Sequence, residues 1–342
     1  SNKTAIGGIR ATHSEPAKIS LCKRSIEIFS SWEAEYGDDI EWRKGGYSFV
    51  AYRPKEETYL KKIINAQKKM GLNIDWLDKN EILTVIPDIN PKNLLGGTYA
   101  PGDGHASPLL TNYAFYRHAC RNGAIFHFRE KVIGILCKRN AIQGVITNQN
   151  TYYAPIVINA AGAWAADVGK LAGIVIPVKP DSHEAGITEP VRQFLNPMVV
   201  DIRPTPGSSN FYFYQHATGQ IIFCITPSPQ QWGFNTKETS EFLPMAARRL
   251  IEIMPLLASI RVRRTWRGLY PMTPDGSPYV GTVNGLDGFL LAVGMCGRGF
   301  MLGLGIAELI MRLILDTLSR EDKQVISALS LNRETISQEM LK

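Results

Sequence analysis

The sequence has few cysteines and no long uninterrupted apolar run. Its 342 residues include five cysteines, which lie far apart and form no Cys-x-x-Cys pair. This spacing argues against a disulfide framework and a zinc site, and it favours a reducing compartment. The most apolar segment, residues 289–315, is interrupted by Arg298, Glu308 and Arg312, so it falls short of the roughly 20 apolar residues of a membrane span. Because the opening residues, SNKTAIGGIR, hold no apolar signal-peptide core, we expect a cytoplasmic protein without a transmembrane segment.

Positive charge is in excess but is not concentrated. The net charge is +7, and the densest basic cluster, RVRRTWR at residues 261–267, is short. Dispersed charge does not make the basic surface that nucleic-acid binding needs, so we expect no nucleic-acid partner. Apolar residues make up 44% and charged residues 20% of the chain, which is typical of a globular protein with one large domain or two ordinary ones.

Periodicity and turn residues predict an α/β protein, α+β overall, in which an antiparallel sheet is inserted into an α/β unit. Amphipathic or apolar spacing predicts helices over residues 16–36, 55–70, 109–124 and 238–255, and a last one over residues 306–315, after the glycine-rich stretch 294–305. Strands are predicted at residues 45–52 and as a ladder over 124–162. Between residues 179 and 227, short strands alternate with turns, which indicates the antiparallel sheet. The charged segment after Ser319 is expected to be peripheral.

The stretch IVINAAGAWAADVGKLAG, residues 156–173, has the pattern of a buried strand that turns abruptly into a helix. Ala160, Ala161 and Gly162 carry almost no side chain at the carboxyl end of this strand, which is where open α/β sheets form a ligand crevice. A tight turn that needs small residues only for packing is the alternative. Under the first interpretation Trp164 covers a cofactor, and under the second it fills the core.

A second strand-to-helix junction, GMCGRGFMLGLG at residues 294–305, holds five glycines. A helix start offers unpaired N–H groups and a partial positive charge, which suit a phosphate or an anionic flavin edge, and glycine lets such a ligand approach the backbone. The likeness to a dinucleotide-binding loop is loose, because no acidic residue is evident at the usual distance. Close packing of helix and sheet is the alternative, and it accounts for two of the five glycines.

The turn-rich stretch RTWRGLYPMTPDGSPYVG, residues 264–281, is a third candidate. Its Thr-Pro-Asp-Gly turn, residues 273–276, also has a purely structural interpretation. The six histidines are scattered, and no Ser-His-Asp order, metal cluster or G-x-S-x-G elbow is present. His183 and Glu184 are compatible with a polar pair at a site and with a surface turn.

These three stretches, in this order, resemble the FAD-dependent amino-acid and amine oxidoreductases of the D-amino-acid oxidase superfamily. VINAAGAW is similar to a pattern late in the family's cofactor domain, and WRGLYPMTPDGSPYVG followed by GMCGRGFMLGLGIAEL is similar to its C-terminal signature. TYAPGDGHASPLLTNYAF, residues 98–115, resembles the segment before a helix that crosses back to that domain. The likeness covers nearly the whole chain, and it is strongest to sarcosine oxidase β-subunits, dye-linked proline dehydrogenases and glycine oxidases.

The resemblance implies an FAD-binding Rossmann-like domain assembled from discontinuous segments, with an inserted antiparallel-sheet substrate domain. The FAD-binding domain would comprise residues 1–37, 102–178 and 264–330, and the substrate domain residues 38–101 and 179–263. Family members begin with a strand, a G-x-G-x-x-G turn and a helix, whereas SNKTAIGGIR resembles the loop beyond that unit. About 30 residues, one βαβ unit, are therefore expected to be missing from the front, and without them the FAD pyrophosphate loses its main helix N-terminus.

The resemblance also implies roles for single residues. Arg10 corresponds to an arginine that pairs with the substrate carboxylate in some relatives, and Tyr212, Tyr214 and Tyr270 would face the substrate. The backbone at Val132 would meet the adenine, and the two strand-to-helix bends together would line a slot for the isoalloxazine ring. The residues expected along FAD are Ala5, Gly7, Gly8, Ala160, Gly162, Trp164, Gly297, Arg298, Gly299, Phe300 and Met301.

Three departures from the family bear on the cofactor and the substrate. Gly268 stands where monomeric sarcosine oxidases attach flavin through a cysteine, and Ser107 stands where heterotetrameric ones carry covalent FMN on a histidine. Met301 replaces a second carboxylate-binding group, a lysine. These departures imply non-covalent FAD and a substrate that need not be sarcosine.

The function implied by the resemblance is oxidation of an amino acid or secondary amine by hydride transfer to flavin N5, which gives an imine. Sarcosine, proline, glycine and D-amino acids are candidate substrates, and an electron-accepting partner subunit is expected by analogy with the β-subunits. Two alternatives stay open: a cofactor-free binding or assembly subunit with the same fold, and a flavin dehydrogenase of a hydroxy acid or glycerol phosphate.

Overall fold

The computed structural model of the chain describes residues 4–334. Its α-helices, in chain order, are α1 (Pro16–Tyr36), α2 (Pro54–Lys69), α3 (Lys79–Val85), α4 (Pro108–Arg121), α5 (Ala165–Leu171), α6 (Phe242–Ile253), α7 (Gly299–Ile314) and α8 (Arg320–Ala328). The five helices predicted from the sequence are therefore confirmed; four have small shifts at their ends, whereas α7 begins at Gly299, within the glycine-rich stretch, rather than at Ile306. None of the described helices is both long enough and apolar enough to cross a bilayer.

The ends of α1 follow from local hydrogen bonding. The Glu15 carboxylate accepts hydrogen bonds from the N–H groups of Ala17 and Lys18, each at 3.0 Å, so it caps the first turn. Gly37 closes the helix with a left-handed φ of 75°, which glycine adopts at low cost. The helix packs along α7, and buried residues of the two helices belong to the same hydrophobic core.

Most of the remaining regular structure consists of β-strands. They are β1 (Gly8–Ile9), β2 (Tyr47–Ala51), β3 (Asp75–Asp78), β4 (Gly96–Tyr99), β5 (Gly104–His105), β6 (Val132–Lys138), β7 (Ala141–Thr147), β8 (Thr151–Tyr153), β9 (Val157–Asn159), β10 (Lys179–Pro190), β11 (Met198–Asp201), β12 (Gly207–Gln215), β13 (Gln220–Ser228), β14 (Val262–Met272), β15 (Tyr279–Val283) and β16 (Leu286–Val293). The predicted ladder over residues 124–162 begins only at β6. Residues 124–128 form no strand; instead Phe126 and Phe128 pack on Tyr116 of α4, with ring centroids 4.8 and 5.8 Å apart.

The larger sheet has eight strands in the order β14-β10-β13-β12-β11-β2-β4-β3. All neighbours are antiparallel except β11 and β2, which are parallel. Strands β10 to β13 form the antiparallel sheet predicted over residues 179–227. Strand β14 pairs with β10 from Met272 opposite Lys179 to Val262 opposite Thr188, so it crosses the predicted domain boundary at residue 264. The exact division into domains stays a prediction.

The second sheet joins β15, β16, β7 and β6, with β8 beside β7 and β9 beside β16. Strands β9 and β16 are parallel neighbours, with Asn159 opposite Leu291. Buried side chains of β16, among them Phe289 and Leu291, pack in the core below this sheet. With eight helices and two large sheets among the described residues, the expected α/β class, α+β overall, is confirmed.

The segment after Ser319 is less peripheral than the sequence predicts. Helix α8 has no buried residue, but Leu329 beyond it is fully buried. The N–H of Val280 donates to the carbonyl oxygen of Leu329 at 2.9 Å, which attaches the segment to β15. The expectation of a peripheral tail is therefore wrong for residues 329–333, because buried contacts outweigh the charged composition.

Candidate active site

A cavity of about 1040 Å³ is bordered by strands of both sheets and by α7. Its volume is slightly above the roughly 300–1,000 Å³ that ligand pockets span. The segments 4–10, 160–163 and 292–303 each contribute residues to its lining, and strands of the larger sheet face them. The prediction that the two strand-to-helix bends fold around one cavity is confirmed.

The pairing of β9 with β16 explains why the bends meet. Parallel neighbours end at the same edge of a sheet, so the chain leaves both strands side by side. The Asn159 side chain then fixes the first bend: its Oδ1 accepts from the N–H of Ala161 at 3.1 Å, and its Nδ2 donates to the Ala165 carbonyl at 3.0 Å.

Three glycines leave open space toward the cavity. Gly162 has a left-handed φ of 57°, and a Cβ atom at Gly162 or Gly303 would meet no other group within 4 Å. At Gly299 a Cβ would make only ordinary contacts with Met295, from 3.4 Å. All three glycines line the cavity, so neighbouring side chains do not fill the volume that their missing side chains leave.

Packing within the chain explains the other three glycines of the second bend. Gly294 and Gly297 have left-handed φ values of 72° and 78°, and a Cβ at either would overlap a neighbouring side chain. A Cβ at Gly305 would overlap the carbonyl oxygen of Leu21, where α1 meets α7. Packing thus accounts for three of the five glycines rather than two, and it leaves Gly299 and Gly303 for a ligand.

The start of α7 gives one end of the cavity a positive potential. No side chain caps the first turn, so its N–H groups are available to a ligand. Arg298, the residue before the helix, is buried against the cavity and donates from Nη1 to the Gly276 carbonyl at 3.3 Å. This end of the cavity suits an anionic group.

The N-terminal residues Ala5, Gly7 and Gly8 border the same cavity. Gly7 has a φ of 99°, and a Cβ there would overlap the Ala106 carbonyl oxygen, so the backbone path itself requires glycine. Gly8 pairs with His105 of β5, which fixes the position of this segment.

Arg10 supplies a second buried positive charge. Its guanidinium carbon lies 5.8 Å from the ring centre of Tyr47 and 5.4 Å from that of Phe49, and its Nη1 donates to the Thr12 carbonyl. The side chain lines the cavity although it is only 5% exposed. A guanidinium that is largely removed from water pairs more strongly with an anion.

Asp103 lies behind Arg10. Its carboxylate accepts hydrogen bonds from the Ala11 N–H at 2.9 Å and from the Thr12 hydroxyl at 3.3 Å. Burial raises the pKa of Asp103 to about 7, although these hydrogen bonds and the Arg10 charge oppose the rise. Near neutral pH this carboxyl is therefore partly protonated and neutralises Arg10 incompletely.

Opposite the bends, the larger sheet presents an aromatic wall. The hydroxyl groups of Tyr212 on β12 and Tyr270 on β14 lie 3.0 Å apart, and Tyr47 and Phe49 of β2 line the same side. Burial raises the pKa of Tyr212 and of Tyr270, so both hydroxyls stay protonated at neutral pH. They can donate and accept hydrogen bonds to a ligand.

His183 lines the cavity. From the sequence, two environments remained open for it, a functional site and a surface turn. It lies on β10, which is paired on both sides, so the surface-turn alternative is wrong. Its ring stacks on Tyr270 at a centroid distance of 3.8 Å, and its Nε2 lies 3.0 Å from Oδ2 of Asp181. Glu184, the next residue, also lines the cavity, and its carboxylate accepts hydrogen bonds from the N–H and the hydroxyl of Thr239. The segment shows no alternation of apolar residues, so only its position beside predicted strands could have indicated a buried strand.

Of the predicted site residues, Arg10, Tyr212, Tyr270 and most of the expected FAD contacts come together in the cavity. Three others do not line it. Val132 begins β6, and Tyr214 lies behind the wall, where its hydroxyl donates to the Ile6 carbonyl. Trp164 is 52% exposed and stacks on Phe234, so it does not fill the core. The roles assigned to these three residues stay predictions.

Comparison with known proteins identifies the class of protein. The model of the FAD dependent oxidoreductase family, DAO, matches residues 2–313, and the chain belongs to this family. It is 28% identical over 286 residues to hydrogen cyanide synthase subunit HcnC of Pseudomonas protegens, covering 83% of this chain and 65% of that protein. It is 27% identical over 290 residues to sarcosine dehydrogenase of Homo sapiens, covering 81% of this chain and 31% of that protein.

Among solved structures, L-proline dehydrogenase from P. horikoshii superposes with a TM-score of 0.90 at 29% identity, covering 97% of this chain and 87% of that one. The chain thus spans about two thirds of HcnC and about one third of sarcosine dehydrogenase.

FAD is the cofactor of this family, and the cavity residues fit it. The open space at Gly162, Gly299 and Gly303 would accept a flat, bulky group against the backbone, and the α7 start with Arg298 would favour a negatively charged edge. Within residues 4–334, no three His, Cys, Asp or Glu side chains converge on a metal position.

Proposed function

We propose that this chain oxidises the amine of an amino acid or a secondary amine with FAD, and that an imine is the product. One observation carries the proposal: a single cavity combines backbone walls with unfilled space, a buried arginine for a carboxylate, and a protonated tyrosine pair. When bound, FAD supplies the acceptor for the hydride. The chain supplies binding, orientation and electrostatics.

Arg10 would hold the substrate carboxylate. Its guanidinium stays charged at every working pH and can form two parallel hydrogen bonds to a carboxylate. The aromatic faces of Tyr47 and Phe49 restrict its movement. The carboxylate would thereby be fixed, and the α-carbon and the amine with it.

The aromatic wall would act on the amine. Burial in apolar surroundings disfavours a charged ammonium group, so the cavity favours the neutral amine that hydride loss requires. The hydroxyls of Tyr212 and Tyr270 can accept or donate a hydrogen bond at its nitrogen. His183 would hold the Tyr270 ring in place by stacking.

The flavin would be held without a covalent bond. Gly268 borders the cavity and has no side chain that could bond to flavin, and the Ser107 hydroxyl caps α4, accepting a hydrogen bond from the Leu110 N–H at 3.5 Å. A partner subunit that accepts electrons is part of the proposal, supported by the description of HcnC as a subunit. The five free cysteines support a cytoplasmic location.

Anaerobic flavin bleaching tests the reaction. The chain would be loaded with FAD and mixed with sarcosine, proline, glycine, D-amino acids, a hydroxy acid and glycerol phosphate in turn. We expect one or more of the amino acids to remove the flavin absorption band, with the imine hydrolysing to a carbonyl compound that can be identified.

Each alternative has a distinct outcome in this experiment. Bleaching by the hydroxy acid or glycerol phosphate alone would replace the amine with an alcohol as substrate. Failure to retain any FAD would favour the cofactor-free subunit only in a protein that carries the family's N-terminal βαβ unit, because a chain without that unit lacks the main helix N-terminus for the pyrophosphate. The open space beside three cavity glycines argues against that second outcome.

A further inference from the structure

Arg333 ties the C-terminal segment to the turn at residues 273–277. Its guanidinium forms two hydrogen bonds of 2.8 Å to the two carboxylate oxygens of Asp275, and two more of 2.8 Å to the carbonyls of Ser277 and Pro278. The ring centre of Tyr279 lies 4.0 Å from its guanidinium carbon. The side chains of Arg333 and Asp275 are each only 4% exposed. Arg333 lies beyond residue 313, where the family match ends.

The same turn supports the second bend from behind. The Thr273 N–H donates to Sγ of Cys296 at 3.3 Å, and the Thr273 hydroxyl lies 3.2 Å from the same sulfur. The Gly276 carbonyl accepts from Arg298 at 3.3 Å. Cys296 and Arg298 both line the cavity. The turn therefore lies between Arg333 on one side and the cavity wall on the other.

The shape of the turn depends on the Asp275 carboxylate. This group accepts from the Ser277 N–H at 3.0 Å and from the Thr273 hydroxyl at 3.2 Å. Burial alone would raise the pKa of Asp275, but the hydrogen bonds from Arg333 and Ser277 outweigh it and lower that pKa. The carboxylate is thus charged and buried, and removal of Arg333 would leave that charge without its principal partner.

We propose that Arg333 is a positioning residue for the cavity. It holds the 273–277 turn so that Cys296 and Arg298 keep their places in the wall. The meaning of this role for catalysis rests on the proposed function, in which Arg298 borders the flavin. The role itself concerns only residues of this chain.

Hydrogen exchange on the full chain, without FAD or substrate, tests the positioning role. The N–H groups of Cys296 and Arg298 donate to the carbonyls of Pro271 and Met295. In Arg333→Ala we expect the amides of residues 294–298 to exchange at least about tenfold faster, while those of β12 and β13 keep their rates. Arg333→Lys retains the charge but not the two-pronged geometry, so it should give a smaller local rise.

The matched control is Arg320→Ala, which removes an exposed positive charge from the same C-terminal segment. It should leave the exchange rates unchanged. An FAD titration gives a second measure: Arg333→Ala should weaken FAD binding about tenfold, the effect of one misplaced hydrogen bond, Arg333→Lys should weaken it less, and Arg320→Ala should have no effect.

Two results would overturn the positioning role: unchanged exchange at residues 294–298 in both Arg333 variants, or a rise spread evenly over the molecule. The outcome is separable from that of the proposed function. A local rise in a chain that oxidises no amine would refute the proposed function alone, and amine oxidation with no local rise would refute the positioning role alone.

Discussion

Two opposite walls of the cavity differ in what they present to a ligand: one presents mainly backbone, and the other presents aromatic side chains. The bend wall, residues 160–163 and 294–303, presents mainly backbone, and its small residues leave room for a ligand. The sheet wall, formed by Tyr47, Phe49, His183, Tyr212 and Tyr270, presents aromatic side chains from four strands of one sheet. Backbone groups suit a cofactor whose shape is constant, whereas side chains can be changed singly to suit a substrate.

This difference predicts that substitutions on the two walls have different effects, one on FAD binding and the other on substrate binding. Changes at the glycines of the bend wall should affect FAD binding first, because an added side chain there would occupy the open space that the cofactor needs. Changes on the sheet wall should affect the choice and affinity of the substrate and leave FAD content alone. Arg10 and Asp103 lie beside the sheet wall and should follow its pattern.

The largest effect is expected for Gly303→Leu. Its side chain would enter the open space beside the cavity, where a Cβ meets no neighbouring group within 4 Å. FAD affinity should fall more than about 100-fold, since several atoms would occupy the ligand's place. The unfolding free energy should stay the same or rise by about 0.5–1 kcal/mol, because glycine is a poor helix former. Fluorescence titration with FAD and denaturant unfolding measure the two quantities.

Gly305→Ala, two residues along the same helix, is the matched control. Its Cβ would overlap the Leu21 carbonyl, so α1 and α7 must move apart. Here we expect a loss of about 1–3 kcal/mol of stability with a smaller effect on FAD. Normal FAD binding by Gly303→Leu would contradict the assignment of the bend wall.

A smaller effect is expected for Arg10→Ala. Loss of a charge-assisted hydrogen bond to the substrate carboxylate costs about 1.5–3 kcal/mol, which corresponds to a rise in KM of about 10- to 150-fold. FAD content should not change. Steady-state kinetics with an amino acid and with its decarboxylated amine provide the measurement, since the amine lacks the carboxylate and should react equally with both proteins. An unchanged KM for the amino acid would remove Arg10 from this role.

Asp103→Asn should alter the dependence of stability on pH. Burial raises the pKa of Asp103 in the folded chain to about 7 from its ordinary value of 3.8, so the folded chain binds the proton more tightly. The stabilisation from this group is present below about pH 4 and is lost as the pH rises to about 7, with a slope of at most about 1.4 kcal/mol per pH unit. Denaturant unfolding of both proteins between pH 4 and 8 should show this slope in the wild type and its absence in the variant. Parallel curves would show that Asp103 titrates normally.

The smallest effect is expected for Tyr212→Phe. This substitution removes the Tyr212 hydroxyl, which lies 3.0 Å from the Tyr270 hydroxyl, and keeps the aromatic ring. Catalytic efficiency with the preferred amino acid should fall by about 0.5–1.5 kcal/mol in transition-state stabilisation, which is about 2- to 13-fold. FAD affinity serves as the internal control and should be unaffected. A larger loss of FAD than of substrate affinity would place Tyr212 at the cofactor instead.

The bend wall could be predicted from the sequence, and most of the sheet wall could not. Glycine and alanine at the end of an apolar strand are local signals, and β9 and β16 each carry such a signal within a dozen residues. His183 and Tyr47 enter the cavity only through the pairing of distant strands, and β10 lacks the alternation that marks a half-buried strand.

Two further elements show the limits of composition. Residues 124–128 alternate like a strand, yet their aromatic side chains pack on α4. Arg333 belongs to a charged segment that predicts a solvated tail, but Asp275 and four carbonyl groups surround its guanidinium. In both cases contacts between distant residues determine the local structure, and no local sequence pattern predicts those contacts.

A crystal structure of the chain with FAD and a slowly reacting or inhibitory amino acid tests the central assignment most directly. We predict the isoalloxazine ring between the bend wall and the sheet wall, with the ligand carboxylate on Arg10 and its amine facing Tyr212 and Tyr270. A flavin bound elsewhere, or an amino acid whose carboxylate avoids Arg10, would contradict the assignment of the two walls.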